Sequence, residues 1–368
     1  MIVHLTDVFA PRVGGIEVQI ERLARAQTAA GEEVHVITTT SGTHDDRALP
    51  YRVHRVARVG HVRALLLRLE PRVAHVHLSV YSPFALCSTR QLGLLRIPTV
   101  MTVHSMWDLP VRVCYRLIGK VGDWRDRFVL TAVSTVVADQ IARALPGTTT
   151  VVVPNGVSPV LPRSTSRPTG ELQELHVVSV GRLVTRRKPL ILLKVLRQAQ
   201  QRLDGQVAVH ATIVGAGSRT DAMRRYLSRH GMTGWVRLIG VQDQQTIRDI
   251  LATADVYLNV TRREAFGLAT LEARTAGLPV VARSDSGVAD FVEHGREGLL
   301  GDTMTDLVAA LVQLGCDKQL HHRIATHNRT VTPSEHSWSV VLNSLRHCYD
   351  EAVRRVHMSD PTAAGKDV

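Results

Sequence analysis

The sequence predicts an α/β protein made of two Rossmann-like domains facing across a cleft. Three observations predict it. Short apolar segments of strand length alternate with helix-length segments from end to end, the pattern of parallel α/β layers. The alternation breaks at PNGVSPVLPRSTSRPTGEL (154–172), where Pro, Ser, Thr and Gly crowd together as in a linker. It then resumes, and 368 residues is a length suited to two domains.

In order, MIVHL, EVHVITT (33–39), VAHVHL (73–78), TVMTV (99–103), VLTAV (129–133) and TVVVP (150–154) read as buried strands of a first domain, residues 1–155. Helical stretches such as 16–30 and 135–145 lie between them. HVVSVG (176–181), VHATIVG (209–215), VRLIG (236–240), DVYLNV (255–260) and PVVAR (279–283) read as strands of a second domain, residues 156–335. Trp338, Leu342, Leu345 and Tyr349 recur at helical spacing. They predict a helix over 336–357 that packs back on the first domain, followed by a frayed tail, 358–368.

Composition narrows the function classes. The net charge is +12, carried almost wholly by arginine, since there are only five lysines. That balance suits anionic nucleotides, an anionic membrane surface or an acidic acceptor. Aromatic residues make up 4%, too few for base-stacking platforms, and no helix-turn-helix, zinc-finger or RNA-recognition signature occurs, so no nucleic-acid partner is expected. Cys87, Cys114, Cys316 and Cys348 are scattered without a Cys-x-x-Cys pair, which argues against a disulfide framework or structural zinc and fits a reducing cytosol. The N-terminus lacks a signal-peptide pattern. No apolar run approaches the roughly 20 residues that span a bilayer.

The richest segment is RREAFGLATLEARTAGLPVVA (262–282). Glu264 and Glu272 lie eight residues apart, about two helical turns, near one face. Glu264 stands in the loop at a helix N-terminus and Glu272 rides inside the helix. Helix N-termini attract phosphate, and carboxylates accept hydrogen bonds from sugar hydroxyls, so the pairing suggests a nucleotide-sugar site. Acids in a first helical turn also occur for dipole reasons alone. SVGRLVTRRKPLILLKVL (179–196) places Arg182, Arg186, Arg187 and Lys188 just past a strand, where cations can neutralise a diphosphate; a solvated basic loop has the same composition. DVFAPRVGGIEVQI carries Gly14 and Gly15 between strand and helix. There backbone N–H groups can approach a phosphate or the acceptor, or the glycines form an ordinary turn. His104 in MTVHSMWD ends a strand as an apparently lone histidine. Asp290 in SDSGVADFVEHGREGLL is either a cleft acid or a helix-surface acid. The histidines form no His-Glu-x-x-His or other clear ligand set, and there is no Walker loop or Gly-x-Ser-x-Gly elbow. No metal site is expected.

Together these elements resemble the retaining glycosyltransferases of family 4, of GT-B fold, from residue 1 to about residue 350. The elements are PRVGGIEVQIERLARAQTAAGEEVHVIT, TVHSMW, AVS (132–134), VPNGV (153–157), VGRLVTRRKP, Glu264 to Glu272 with the AGLPVVA sequel, and SGVADFV with HGREGLL. The resemblance implies that Gly14 and Gly15 lie against the donor phosphates and acceptor, and that His104 contacts the donor sugar. It implies that Arg182 binds the diphosphate. Glu264 would hold sugar hydroxyls beside the N–H groups of Phe266, Gly267 and Leu268, and Glu272 would bind the ribose. His104, Arg182, Lys188 and Glu264 would be the catalytic set. Two positions depart from the family pattern: Arg187 stands where a lysine is usual, with Lys188 next to it, and Asp290 stands where a glutamate is common.

The activity implied is transfer of a hexosyl group from a UDP- or GDP-sugar to a hydroxyl acceptor, with retention and without metal or other cofactor. A nucleotide-sugar-binding partner subunit and a GT-B sugar-nucleotide epimerase are the alternatives. The acceptor is a lipid, a small molecule or a glycan. Segment 105–127 holds Arg112, Tyr115, Arg116, Lys120, Trp124 and Arg125 among apolar residues. It either rests on an anionic bilayer, placing a cytoplasmic protein at the inner face of the membrane, or is a plain amphipathic helix over the core.

Overall fold

The computed structural model describes residues 1–42, 46–57, 60–157 and 174–358. The chain forms two compact units: Met1–Gly156 with Glu335–Val368, and Val157–Ser334. The first unit runs β1 Ile2–Thr6, α1 Gly15–Ala29, β2 Val34–Thr38, β3 Arg52–Arg55, α2 Gly60–Leu69, β4 Val73–Leu78, α3 Pro83–Leu94, β5 Thr99–Val103, α4 Leu109–Val121, α5 Trp124–Arg127, β6 Val129–Ala132, α6 Thr135–Ala144 and β7 Thr150–Val152. The second runs β8 Glu174–Val180, α7 Pro189–Leu203, β9 Ala208–Val214, α8 Thr220–Arg229, β10 Val236–Leu238, α9 Gln244–Thr253, β11 Val256–Asn259, α10 Leu268–Thr275, β12 Val280–Arg283, β13 Gly298–Gly301, α11 Met304–Cys316 and α12 Lys318–Thr330. The last helix, α13 Trp338–Met358, belongs to the first unit.

Each unit holds one sheet, ordered β3-β2-β1-β4-β5-β6-β7 and β10-β9-β8-β11-β12-β13. Every strand pairing within them is parallel. The order reverses between β1 and β4 in the first sheet and between β8 and β11 in the second. Such switch points open a crevice at the carboxyl ends of the strands, where α/β sheets bind ligands. The expected α/β class with two Rossmann-like sheets is the observed one.

Two strands escape the sequence reading. β3 reads RVHR and is only partly buried, and β13 reads GLLG; each is four residues long and lacks the apolar run that marks the central strands. Residues 158–173, most of the expected linker, and 359–368, nearly all of the expected tail, lie outside the described residues.

Alternation along the strands of the first unit sets up its site. Residues two apart face the same side of a sheet. On one face Ile2 pairs with Val73 and, one step along the stagger of the sheet, Val100 pairs with Val129; all four pack with Val341, Leu345, Cys348 and Tyr349 of α13. Two residues further along each strand the same face carries His4, His75, Thr102 and Thr131, and beyond them His77 and His104. The face thus changes from apolar to hydrogen-bonding toward the carboxyl edge. α13 closes its apolar end, with the Trp338 ring filling the space beside Gly156, where a Cβ would lie 2.6 Å from the ring.

Candidate active site

In the second unit the loops after β8 and β11 meet at the switch point. The chain leaves β8 through Gly181 and Arg182 and makes one 3-10 turn, Thr185–Arg187. It then adopts a left-handed conformation at Lys188, φ 48°, before Pro189 starts α7. That reversal turns the Arg187 side chain back across Gly181, where a Cβ would sit 3.2 Å from the guanidinium. Arg187 donates twice to Glu264, at 2.9 Å and 3.3 Å. A two-pronged guanidinium–carboxylate contact fixes orientation as well as charge. Arg182 and Lys188 extend into solvent instead. The cation gathered to Glu264 is therefore Arg187.

Glu264 is held from below. Asn259, ending β11, accepts from the Thr261 N–H and donates to the Thr270 hydroxyl. The Glu264 carbonyl accepts from the Gly287 N–H at 2.9 Å. A side chain at Gly287 would collide with the Ala265 backbone, so only glycine allows this approach. Gly267, φ +94°, turns the chain into α10 beside Glu264. The Phe266 ring is buried against Phe291. Glu272 is half-buried on α10. Asp290 is exposed.

Sequence reasoning missed two supports of this cluster. The Gly215-Ala216-Gly217 loop after β9 clasps the Arg182–Arg187 loop: Leu183 donates to the Ala216 carbonyl at 3.0 Å, and Arg219 reaches Thr185 at 2.9 Å. Its signal was the Gly-x-Gly after a strand. Behind α10, Arg274 and Glu297 form a buried ion pair, 3.3 Å, and Arg274 also donates to the Phe291 carbonyl at 2.6 Å.

In the first unit Gly14 caps α1. The Glu17 carboxylate fills the space a Gly14 side chain would need, whereas Gly15 faces open space. His104 follows β5 and is far from lone. Its Nε2 lies 2.9 Å from His77 Nδ1, and His77 Nε2 lies 2.9 Å from His4 Nδ1. His75 and His77 stack at 4.2 Å. The signal was the alternation itself: His75-x-His77 on β4 beside His4 on β1. His4, His75 and His77 offer ligand atoms within 4.8 Å of one another. All six of their ring nitrogens have hydrogen-bond partners, so the set is a hydrogen-bonded cluster with no lone pair left over. His104 and His77 line a pocket with Gln19, Thr102, Pro154 and Asn155. The buried Gln19 Oε1 has no hydrogen-bond partner.

Burial holds these imidazoles neutral. It lowers His4 and His104 to about 4 and His75 and His77 well below the usual 6.5. Between those values and 6.5 the unfolded chain binds more protons, so stability rises with pH in that window. The first unit is expected to lose denaturant resistance as pH falls from 6.5 toward 4. Hydrogen exchange on β1, β4 and β5 at successive pH values checks it, and unchanged protection at pH 5 would count against neutral burial.

Segment 105–127 is amphipathic, with its aromatic residues on the buried side. Tyr115 and Trp124 are buried, with Tyr115 stacked on Trp107 at 4.1 Å. Arg116 is tied to the Ala144 and Arg143 carbonyls of the α6 end. The outward stripe of α4 is Leu109, Val113, Leu117 and Val121, at four-residue spacing.

The description Glycosyltransferase Family 4 matches residues 13–161, and Glycosyl transferases group 1 matches residues 174–317. The chain belongs to the family 4 glycosyltransferases. It is 27% identical, over 94% of its length and 96% of the relative's, to the GDP-mannose-dependent alpha-(1-6)-phosphatidylinositol monomannoside mannosyltransferase of Mycobacterium tuberculosis. It is 23% identical, over 84% and 74%, to the phosphatidylinositol N-acetylglucosaminyltransferase GPI3 subunit of Saccharomyces cerevisiae. Among solved structures, Anabaena HepE in complex with UDP and glucose superposes with a TM-score of 0.76 at 18% identity, covering 95% of this chain and 99% of that one. A glycosyltransferase from Rickettsia africae gives 0.76 at 15%, covering 96% and 98%. These two likenesses establish the GT-B fold. This family 4 glycosyltransferase is thus an enzyme of glycan or glycoconjugate synthesis. Among its described residues no helix is long and apolar enough to cross a membrane.

Proposed function

We propose that the enzyme transfers a hexosyl group, with retention and without a metal, from a UDP- or GDP-sugar to a hydroxyl on a lipid-borne inositol phosphate. The Arg187–Glu264 pair at the α10 N-terminus carries the reading. It sets a cation for the diphosphate and a carboxylate for sugar hydroxyls within one hydrogen bond of each other, at the switch point of the second sheet. When the sugar–phosphate bond breaks, negative charge grows on the diphosphate. Arg187, the nearby Arg182 and Lys188, and the helix N-terminus stabilise it with fixed charges, each contact contributing on the order of 3 kcal/mol. Such charges take the part a metal plays elsewhere. Attack on the face the phosphate leaves gives retention, with that phosphate accepting the acceptor's proton. His104 contacts the donor sugar near the reacting carbon, Glu272 the ribose, and Gly14 and Gly15 the acceptor and phosphates.

Two observations support the lipid. The relatives from Mycobacterium tuberculosis and Saccharomyces cerevisiae are named for phosphatidylinositol-based acceptors. The α4 stripe Leu109, Val113, Leu117 and Val121 is exposed beside Lys120, a form suited to a peripheral contact with an anionic bilayer. The test is a UDP- and GDP-sugar panel read by mass spectrometry, with phosphatidylinositol vesicles and soluble inositol phosphate as parallel acceptors. Transfer to vesicles is expected, and Leu117→Glu is expected to reduce both vesicle sedimentation and that transfer. Transfer to the soluble acceptor alone removes the membrane part. Failure of every donor to release nucleotide removes the transferase reading of the site.

A further inference from the structure

Eight buried or half-buried side chains of the first unit form one continuous hydrogen-bonded file. It runs from His104 through His77, His4, Gln27, Tyr349, His75 and Thr102 to Thr131. The file ends where the Thr131 hydroxyl donates to the Met101 carbonyl at 3.4 Å.

A carbonyl only accepts, so this end sets the direction of every link. The Thr131 hydroxyl, having donated to Met101, accepts from Thr102 at 2.6 Å. Thr102 then accepts from His75 Nε2–H at 2.6 Å. His75 Nδ1 accepts from the Tyr349 hydroxyl at 2.9 Å, and that hydroxyl accepts from the Gln27 amide nitrogen at 2.8 Å. The Gln27 amide oxygen accepts from His4 Nε2–H at 2.6 Å. His4 Nδ1 accepts from His77 Nε2–H, and His77 Nδ1 accepts from His104 Nε2–H. A neutral imidazole carries one N–H. With Nε2 donating inward, His104 Nδ1 is left as a bare lone pair. It has no hydrogen-bond partner among the described residues, and the ring lines the pocket beside Asn155 and Pro154.

We propose that this file locks His104 in the Nε2–H tautomer, so that Nδ1 accepts a hydrogen bond from a donor-sugar hydroxyl, and that His77, His4 and Gln27 are positioning residues for transfer. The assignment rests on the reading of His104 as a donor-sugar contact. Moving the His104 proton to Nδ1 would set its bare Nε2 lone pair against the His77 Nδ1 lone pair unless every link reversed, and the Met101 carbonyl opposes that reversal. Burial that disfavours the imidazolium keeps the file from escaping by taking up a proton. Linked hydrogen bonds also polarise one another, so the lock acts over several residues.

The test uses the full chain enriched in 15N-histidine. Two-bond 1H–15N correlation spectra show which ring nitrogen of His104 carries the proton. Wild type is expected to show Nε2–H alone. His77→Leu removes the acceptor and is expected to give mixed tautomers at His104. Its kcat should fall about tenfold, the worth of one hydrogen bond, while KM for the nucleotide sugar stays nearly constant. His77→Gln is expected to restore both readouts, because an amide oxygen can accept from His104 while its nitrogen donates to His4. Gln27→Met, three links away, gives the same release in a smaller degree and serves if His77→Leu does not fold. A protonated His104 Nδ1 in wild type overturns the proposal. So does a single tautomer persisting in both the His77→Leu and Gln27→Met variants, or tautomer release with unchanged kcat. Should the wild type turn over no nucleotide sugar, the functional reading of His104 fails, and the spectra still decide whether the file exists.

Discussion

Glu264→Gln is expected to lower transfer on the order of 10²–10³-fold while the protein stays folded. Glutamine keeps the size of the side chain and loses the charge. One of its two terminal atoms becomes a donor, so the proposed sugar contact is left with one acceptor. Arg187, no longer facing a carboxylate, also loses the two-pronged contact that aims it over Gly181. Arg187→Lys is expected to recover little, since an ammonium keeps the charge without the planar fork. The measurement is kcat at saturating donor beside a thermal unfolding curve. Turnover within about threefold of wild type, with the fold intact, would remove Glu264 from the reaction.

Arg274→Ala is expected to destabilise the second unit by about 3–5 kcal/mol, because it leaves a buried carboxylate without its main cation. Glu297 is 4% exposed and Arg274 5%. The same carboxylate also accepts from the Glu293 N–H at 2.9 Å and lies 3.1 Å from His327, so the loss reaches β13, α10 and α12 together. Because α10 carries Glu272, the proposed ribose contact, and packs beside Glu264 through Gly267, activity should fall at temperatures where the variant is still largely folded. Urea unfolding followed by circular dichroism reads the effect, and a change below about 1 kcal/mol would mean that water reaches Glu297 and the pair is not buried in solution. Replacing both partners by apolar residues of like volume should cost far less than replacing either one.

The two effects differ in how far the sequence announces them. Glu264 and Glu272 stand out at a helix start, flanked by Gly267 and an apolar strand, all within one short segment. Arg274 and Glu297 lie in separate elements and read alone as surface charges. Arg187 and Lys188 are adjacent cations that composition cannot rank. Lys188 adopts φ 48° before Pro189, and that single backbone reversal sends one cation to Glu264 and the other to solvent. In segment 105–127 helical amphipathicity was legible, but its buried side was not. Tyr115 and Trp124 fill the core beside Trp107, which leaves the aliphatic stripe outside.

By itself the sequence determined the two α/β sheets, the loops proposed to carry the chemistry and the family, since strand and helix periodicities and strand-end motifs are local and survive without coordinates. Only the tertiary structure decided that Arg187 is the cation at Glu264 and that His104 ends a file reaching Gln27 and Tyr349. Those contacts join residues 77 and 322 apart in sequence, and at such separations partners are chosen by strand order and helix packing, which no local pattern encodes.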